Sequence, residues 1–130
     1  MRFAPVRTAA PGLWRRVPPA IFPPLLGILG LALAWRLAAQ RFGLPDALPG
    51  MLAGGAMAAW AFATLAYGAK LARRPAVLAE ELRILPGRAG VGAALVCIYA
   101  AAQILGPFAP SAARILLILG LGAHLIFWAV

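Results

Sequence analysis

Few residues of this chain could carry covalent chemistry, and the sequence keeps them apart. The acidic residues are Asp46, Glu80 and Glu81, the single histidine is His124, and the single cysteine is Cys97. Catalysis by paired carboxylates, by an activated nucleophile or by a bound metal requires several such groups to converge. No CxxC, HExxH or glycine-rich phosphate loop is present either. The sequence therefore predicts a protein that is not an enzyme, with no catalytic residue, cofactor or metal site.

Small residues at helical spacing are the strongest internal signal. Gly27, Gly30 and Ala34 recur at positions i, i+3 and i+7 of an apolar run. Small faces allow helix backbones to approach closely in lipid, which is the usual basis of helix packing there. The same spacing could instead give a smooth wall to a narrow pore, and the residues alone leave both interpretations open.

Three polar residues lie within or beside apolar runs. Arg36 follows Trp35, a pair that could anchor a helix at the membrane surface, or Arg36 could form a cationic mouth that concentrates anions. Gln103 and His124 are expected to form packing hydrogen bonds with other helices, because lipid offers them no partner. A ligand role is the alternative for both.

The elements that must position these residues are membrane helices. Hydrophobic residues make up 64% of the 130 residues and charged residues 12%, whereas soluble domains carry about 45–50% and about 25%. Since about 20 apolar residues cross a bilayer, the sequence predicts an all-α, polytopic protein with four transmembrane spans in two helical hairpins. The spans fall at about residues 19–39, 48–71, 89–106 and 111–130.

The connecting segments predict the orientation. Residues 1–18 form a basic leader, and residues 72–88 form a polar loop in which Pro75 begins a short interfacial helix whose Glu80, Glu81 and Arg83 face water. A cleaved signal peptide is the alternative for the first span, although its apolar run exceeds the usual length of about 7–15 residues. Nine of the twelve Lys and Arg residues lie in or beside the leader and this loop. The positive-inside rule therefore predicts that both termini are cytoplasmic.

The net charge of +9 indicates topology rather than nucleic-acid binding, because no basic face is interleaved with aromatic residues.

Two segments resemble a known family. The first span, PPAIFPPLLGILGLALAWR, and the loop RRPAVLAEELRILPGRAG are similar to the first helix and the following inter-hairpin link of the tellurite-resistance/dicarboxylate transporter family, which includes the slow anion channels. The resemblance implies five hairpins around a pore, with the first helix of each hairpin inside. Four spans match two hairpins, so this chain would be a truncated or partial member, or would assemble from several copies.

What the resemblance implies for function is transport of small anions through the cell (inner or plasma) membrane by a homo-oligomer. The first and third spans would line the path, with Gly27, Gly30, Arg36, Gly92 and Gln103 as candidate lining residues. The alternative is a small membrane bundle that transports nothing and acts by helix association. A proton-coupled efflux protein is disfavoured, because that mechanism needs a carboxylate within a span.

Overall fold

The computed structural model describes residues 17–129, and these residues form helices and short turns without a β-strand. The predicted all-α fold with four long apolar helices is therefore confirmed. The first 16 residues, which make up most of the predicted leader, lie outside the described residues, as does Val130. The helices are α1 (Phe22–Phe42), α2 (Ala47–Arg73), α3 (Ala76–Leu82), α4 (Leu85–Leu105) and α5 (Pro110–Ala129). All except α3 are long and apolar enough to cross a membrane.

Proline and glycine set the ends of α1. The chain approaches through a 3-10 turn at Pro19–Ile21, and Pro23 occupies the first turn of α1, where its missing N–H breaks no helical bond. The helix ends at Gly43, which adopts a left-handed conformation with φ of 64° and donates its N–H to the Ala39 carbonyl. A residue with a Cβ is strained in this conformation. The helix therefore begins and ends about three residues later than the predicted span.

The polar loop is more helical than its composition suggested. Its short helix α3 is preceded by Pro75 at the N-cap rather than at the first helical position. The next helix, α4, begins at Leu85, four residues before the predicted start of the third span, and it includes Arg88. Its early turns pack tightly, because a Cβ added at Gly87 would lie 2.0 Å from the Glu81 carbonyl oxygen.

The two central helices, α1 and α4, lie side by side and run in the same direction. Near their N-terminal ends, Pro19 packs against Gly90 so closely that a Cβ on the glycine would lie 2.6 Å from the proline backbone. A little further along, the Cys97 thiol donates to the Phe22 carbonyl at 3.6 Å. Near the C-terminal ends, Arg36 reaches the carbonyl of Ile104. This order of contacts along both helices is possible only if they are parallel.

The remaining long helices flank this central pair. The second helix, α2, packs against α1 as the other arm of the first hairpin, and α5 packs against α4 in the same way. The core lies between α1, α2 and α4, where Phe22, Leu29 and Cys97 are fully buried among alanines. Alanine and glycine at these positions allow the close approach on which helix packing in lipid depends.

Candidate functional site

One side of α1 is lined by small residues and has no neighbour within the described part of the chain. Gly27, Gly30 and Ala34 are exposed, and a Cβ added at either glycine would meet nothing within 4 Å. They lie about 60–160°, on average about 110°, around the helix from Pro24 and Ile28, which border α2, given about 100° per residue. The predicted small-residue stripe is thus an open face and not part of the packing between α1 and α2.

A similar strip runs along α4. Val96 and Gln103 are exposed and Gly92 is half-exposed, with open space where a Cβ would stand. These residues lie roughly 100° or more around the helix from Cys97, which faces α1, and from Ile98, which packs on Gly120 of α5. This strip is therefore turned away from both of the helices that pack against α4.

The two strips lie on the same side of the molecule. Viewed down the axis of α1, with α4 straight ahead, α2 lies to one side and the glycine strip lies to the other. Viewed in the same way from α4 toward α1, α5 lies to one side and the exposed strip lies to the other. Because α1 and α4 are parallel, these two arrangements combine into two layers. An inner layer of α1 and α4 presents one face, here called the open face (residues 27, 30, 34, 92, 96 and 103), and α2 and α5 form an outer layer behind it.

The polar candidates cluster at one end of this face. The Arg36 Nη1 donates to the Ile104 carbonyl at 3.4 Å, so its half-buried side chain crosses the seam between α1 and α4. Gln103 is next to Ile104 in sequence and is exposed on the open face. The interhelical hydrogen bond expected for Gln103 does not form: its side chain bonds to no other described residue. Arg36 and Gln103 thus lie toward the C-terminal ends of α1 and α4, while Gly92 lies nearer the opposite end.

His124, by contrast, makes the interhelical contact predicted for it. Its Nδ1 lies 3.5 Å from the Tyr99 hydroxyl, and the two rings are 5.9 Å apart between centroids. A Cβ added at Gly120, one turn earlier on α5, would lie 3.2 Å from the Tyr99 ring. The glycine therefore provides the space that brings the tyrosine to the histidine, and His124 serves packing between α4 and α5.

The sequence reasoning missed a polar cluster at the other end of the bundle. Lys70 and Glu81 form an ion pair whose side chains are only 10% and 14% exposed. Lys70 also donates to the Val17 carbonyl at 2.7 Å, and the Tyr67 hydroxyl donates to the second Glu81 oxygen at 2.6 Å. The Tyr67 ring packs edge-on against Phe22 with 5.5 Å between centroids. The expectation that Glu81 faces water is wrong, because this carboxylate joins α2, α3 and the approach to α1.

Its neighbour Glu80 does behave as predicted. Glu80 accepts two hydrogen bonds from Arg74, at 2.8 and 3.1 Å, and both side chains are more than half exposed. The helical spacing of the lysine and tyrosine, three residues apart at the end of α2, is the sequence signal that could have indicated a partner for one glutamate. Which glutamate pairs with them depends on the rotation of α3.

Among residues 17–129, no three His, Cys, Asp or Glu side chains lie close enough together to hold a metal ion. What the described residues present is a multi-pass arrangement of apolar helices with one open, small-residue face. The chain is thus, by its own features, a multi-pass α-helical membrane protein.

Comparison with known proteins adds no family to this class: no protein-family model, curated protein or solved structure matches the chain. The similarity to tellurite-resistance/dicarboxylate transporters therefore stays a prediction that rests on the two sequence segments that carry it.

Proposed function

We propose that this chain forms part of an anion path through the cell membrane, of the tellurite-resistance/dicarboxylate transporter type. The observation that carries the proposal is the common open face of α1 and α4, on which Gly27, Gly30, Gly92 and Gln103 all lie. Gly27, Gly30 and Gly92 have no described neighbour within 4 Å of a Cβ position, whereas Gly87 and Gly90 of α4 pack closely within the bundle. Packing among the described helices therefore does not account for the three glycines of the open face.

The charge at one end of this face suits an anion. Arg36 donates to the Ile104 carbonyl in the seam and so places a positive charge toward the end of the face that carries Gln103. Rings of cationic residues select for anions in pores, and a side-chain amide can donate hydrogen bonds to them. The rest of the face is apolar and smooth, so it would guide an anion without holding it by specific bonds. No covalent step is involved in this proposal.

Two helices can form only part of a wall, so further helices or further copies must complete the path. We propose a homo-oligomer, with both termini of this chain in the cytoplasm of the cell that carries it in its inner or plasma membrane. The clustering of cations at the end of the bundle that holds α3 supports this orientation.

Anion flux from proteoliposomes tests the proposal with a matched pair of variants. Gly30→Leu adds bulk to the open face, and Gly122→Leu adds the same bulk to α5 in the outer layer; neither glycine has a neighbour within 4 Å of its Cβ position. We expect Gly30→Leu to reduce flux strongly and Gly122→Leu to leave it near the parent level. In the same assay, Arg36→Glu should lower selectivity for anions over cations. Equal flux in all of these proteins would refute the proposed path.

A second function is favoured by a feature of α2. Gly50 and Gly54 form a GxxxG spacing on an exposed side of this helix, again with open space around them. Such spacing is typical of helices that associate closely in membranes. If the protein acts by association alone, Gly54→Leu should change its oligomeric state, measured by mass in detergent, while none of the proteins should show anion flux.

A further inference from the structure

A groove lies where the short helix α3 meets the start of α4 and the end of α5. It encloses about 640 Å³, and its walls include Leu78 and Leu82 of α3 and Phe127 of α5. Two arginines, Arg83 and Arg88, complete the lining. The groove therefore combines an apolar floor with a cationic rim. This combination is complementary to a phospholipid, whose acyl chain is apolar and whose phosphate is negatively charged.

The two arginines are available to an anion. The acidic groups nearest to them in sequence are already engaged, since Glu80 pairs with Arg74 and Glu81 with Lys70. Neither Arg83 nor Arg88 forms a salt bridge with any described carboxylate. Arg88 is held in place by its Nε, which donates to the Leu82 carbonyl at 2.5 Å and leaves its terminal nitrogens for other acceptors. A guanidinium oriented in this way suits bidentate binding of a phosphate.

The position of the groove matches that of a lipid headgroup. It lies at the beginning of α4 and the end of α5, where two candidate spans leave the apolar part of the bilayer. Next to it, Leu85 is 79% exposed and Ile84 57% exposed, so acyl chains would cover apolar surface that nothing in the described chain covers. Basic pockets between transmembrane helices on the cytoplasmic side are known to bind anionic headgroups.

Charge complementarity excludes other parts of this protein as the occupant. The leader, residues 1–18, carries four arginines and no acidic residue, so it would be repelled by the rim. A second copy in the same orientation offers no unpaired carboxylate at this level of the bilayer, because Glu80 and Glu81 are paired with Arg74 and Lys70 and Asp46 lies at the opposite end of the bundle. We propose that this groove binds an anionic phospholipid, with its phosphate held between Arg83 and Arg88 and an acyl chain against Leu82 and Phe127.

Native mass spectrometry of the full chain, titrated with phosphatidylglycerol or phosphatidylcholine in detergent, tests the proposal. We expect the parent protein to prefer phosphatidylglycerol. Since each arginine near a headgroup contributes about 1 kcal/mol, the double variant Arg83→Gln/Arg88→Gln should lose about 30-fold of this preference. Arg41→Gln/Arg114→Gln, which removes the same charge at the other end of the bundle, should retain it. The double variant Arg83→Lys/Arg88→Lys should also keep most of the preference and shows that the site still folds.

Three results would overturn the proposal. The first is an unchanged lipid preference in the Arg83→Gln/Arg88→Gln variant, and the second is an equal loss in the variant at the other end. The third is displacement of phosphatidylglycerol by millimolar inorganic phosphate, which would identify a simple anion site in place of a lipid site.

Discussion

The buried ion pair between Lys70 and Glu81 gives the sharpest test of how this bundle is held together. The substitution Glu81→Gln removes the charge opposite the lysine but keeps an oxygen that can accept from the Tyr67 hydroxyl. Its effect on stability therefore measures the ion pair and not the loss of the tyrosine contact. The matched control is Glu80→Gln, the same change one residue earlier, where the carboxylate and its Arg74 partner are 55% and 64% exposed.

The burial of the two pairs sets the expected magnitudes. Removing one partner of a buried pair costs about 3–5 kcal/mol, since it leaves an uncompensated charge. Lys70 keeps the Val17 carbonyl at 2.7 Å, and its side chain is 10% exposed, which places the expected loss at about 3 kcal/mol, the lower end of that range. For the exposed pair, Glu80→Gln should cost about 0–1 kcal/mol.

A double variant separates the pair from its surroundings. If Lys70→Met and Glu81→Gln acted independently, their combined cost would be about 6 kcal/mol, twice the value for one broken buried pair. We expect the double variant to be no less stable than either single variant, because neither buried charge then remains.

The assay is unfolding in bicelles by titration with sodium dodecyl sulfate, followed by circular dichroism, which gives the free energy of unfolding for each variant. Two results would refute the conclusion that a buried ion pair stabilises the packing of α3 on α2. One is an equal loss of unfolding free energy in Glu80→Gln and Glu81→Gln, and the other is an additive loss in the double variant.

Two further predictions concern tight packing between α1 and α4. Gly90→Ala should lower the free energy of unfolding by about 1–3 kcal/mol, because the new methyl group would overlap the Pro19 backbone. The control is Gly92→Ala, whose methyl group meets open space; it should be neutral or slightly stabilising in the same titration. Cys97 is 0% exposed, so a maleimide should label it only after unfolding; labelling of the native protein at the rate of a free thiol would contradict the parallel contact with Phe22.

The long helices could be predicted because their signal is local. A run of apolar residues long enough to cross a bilayer is visible without any knowledge of the neighbours, and all four runs are helices in the structure. The ends are less predictable, since the polar composition places Arg88 in the loop although it belongs to α4. Its guanidinium turns back to the Leu82 carbonyl, a contact that depends on the position of α3.

The site depended on non-local geometry to a greater degree. The spacing of Gly27 and Gly30 identified a small face, but the sequence left open whether it packs inward or lies open. Only the parallel placement of α1 and α4 shows that Gly92 shares this face. Glu80 and Glu81 are chemically identical neighbours in the sequence, and the rotation of α3 alone decides that one is buried and the other exposed.

The parallel direction of α1 and α4 has an electrostatic consequence of its own. The dipole of each helix is equivalent to roughly half a positive charge at its N-terminus and half a negative charge at its C-terminus. In an antiparallel pair these contributions cancel, whereas in this inner layer they add. The open face therefore carries a built-in gradient of potential, positive near Gly92 and negative near Gln103, which no side chain produces. Arg36 lies at the negative end, so removing its charge would leave the two helix termini to repel an anion there.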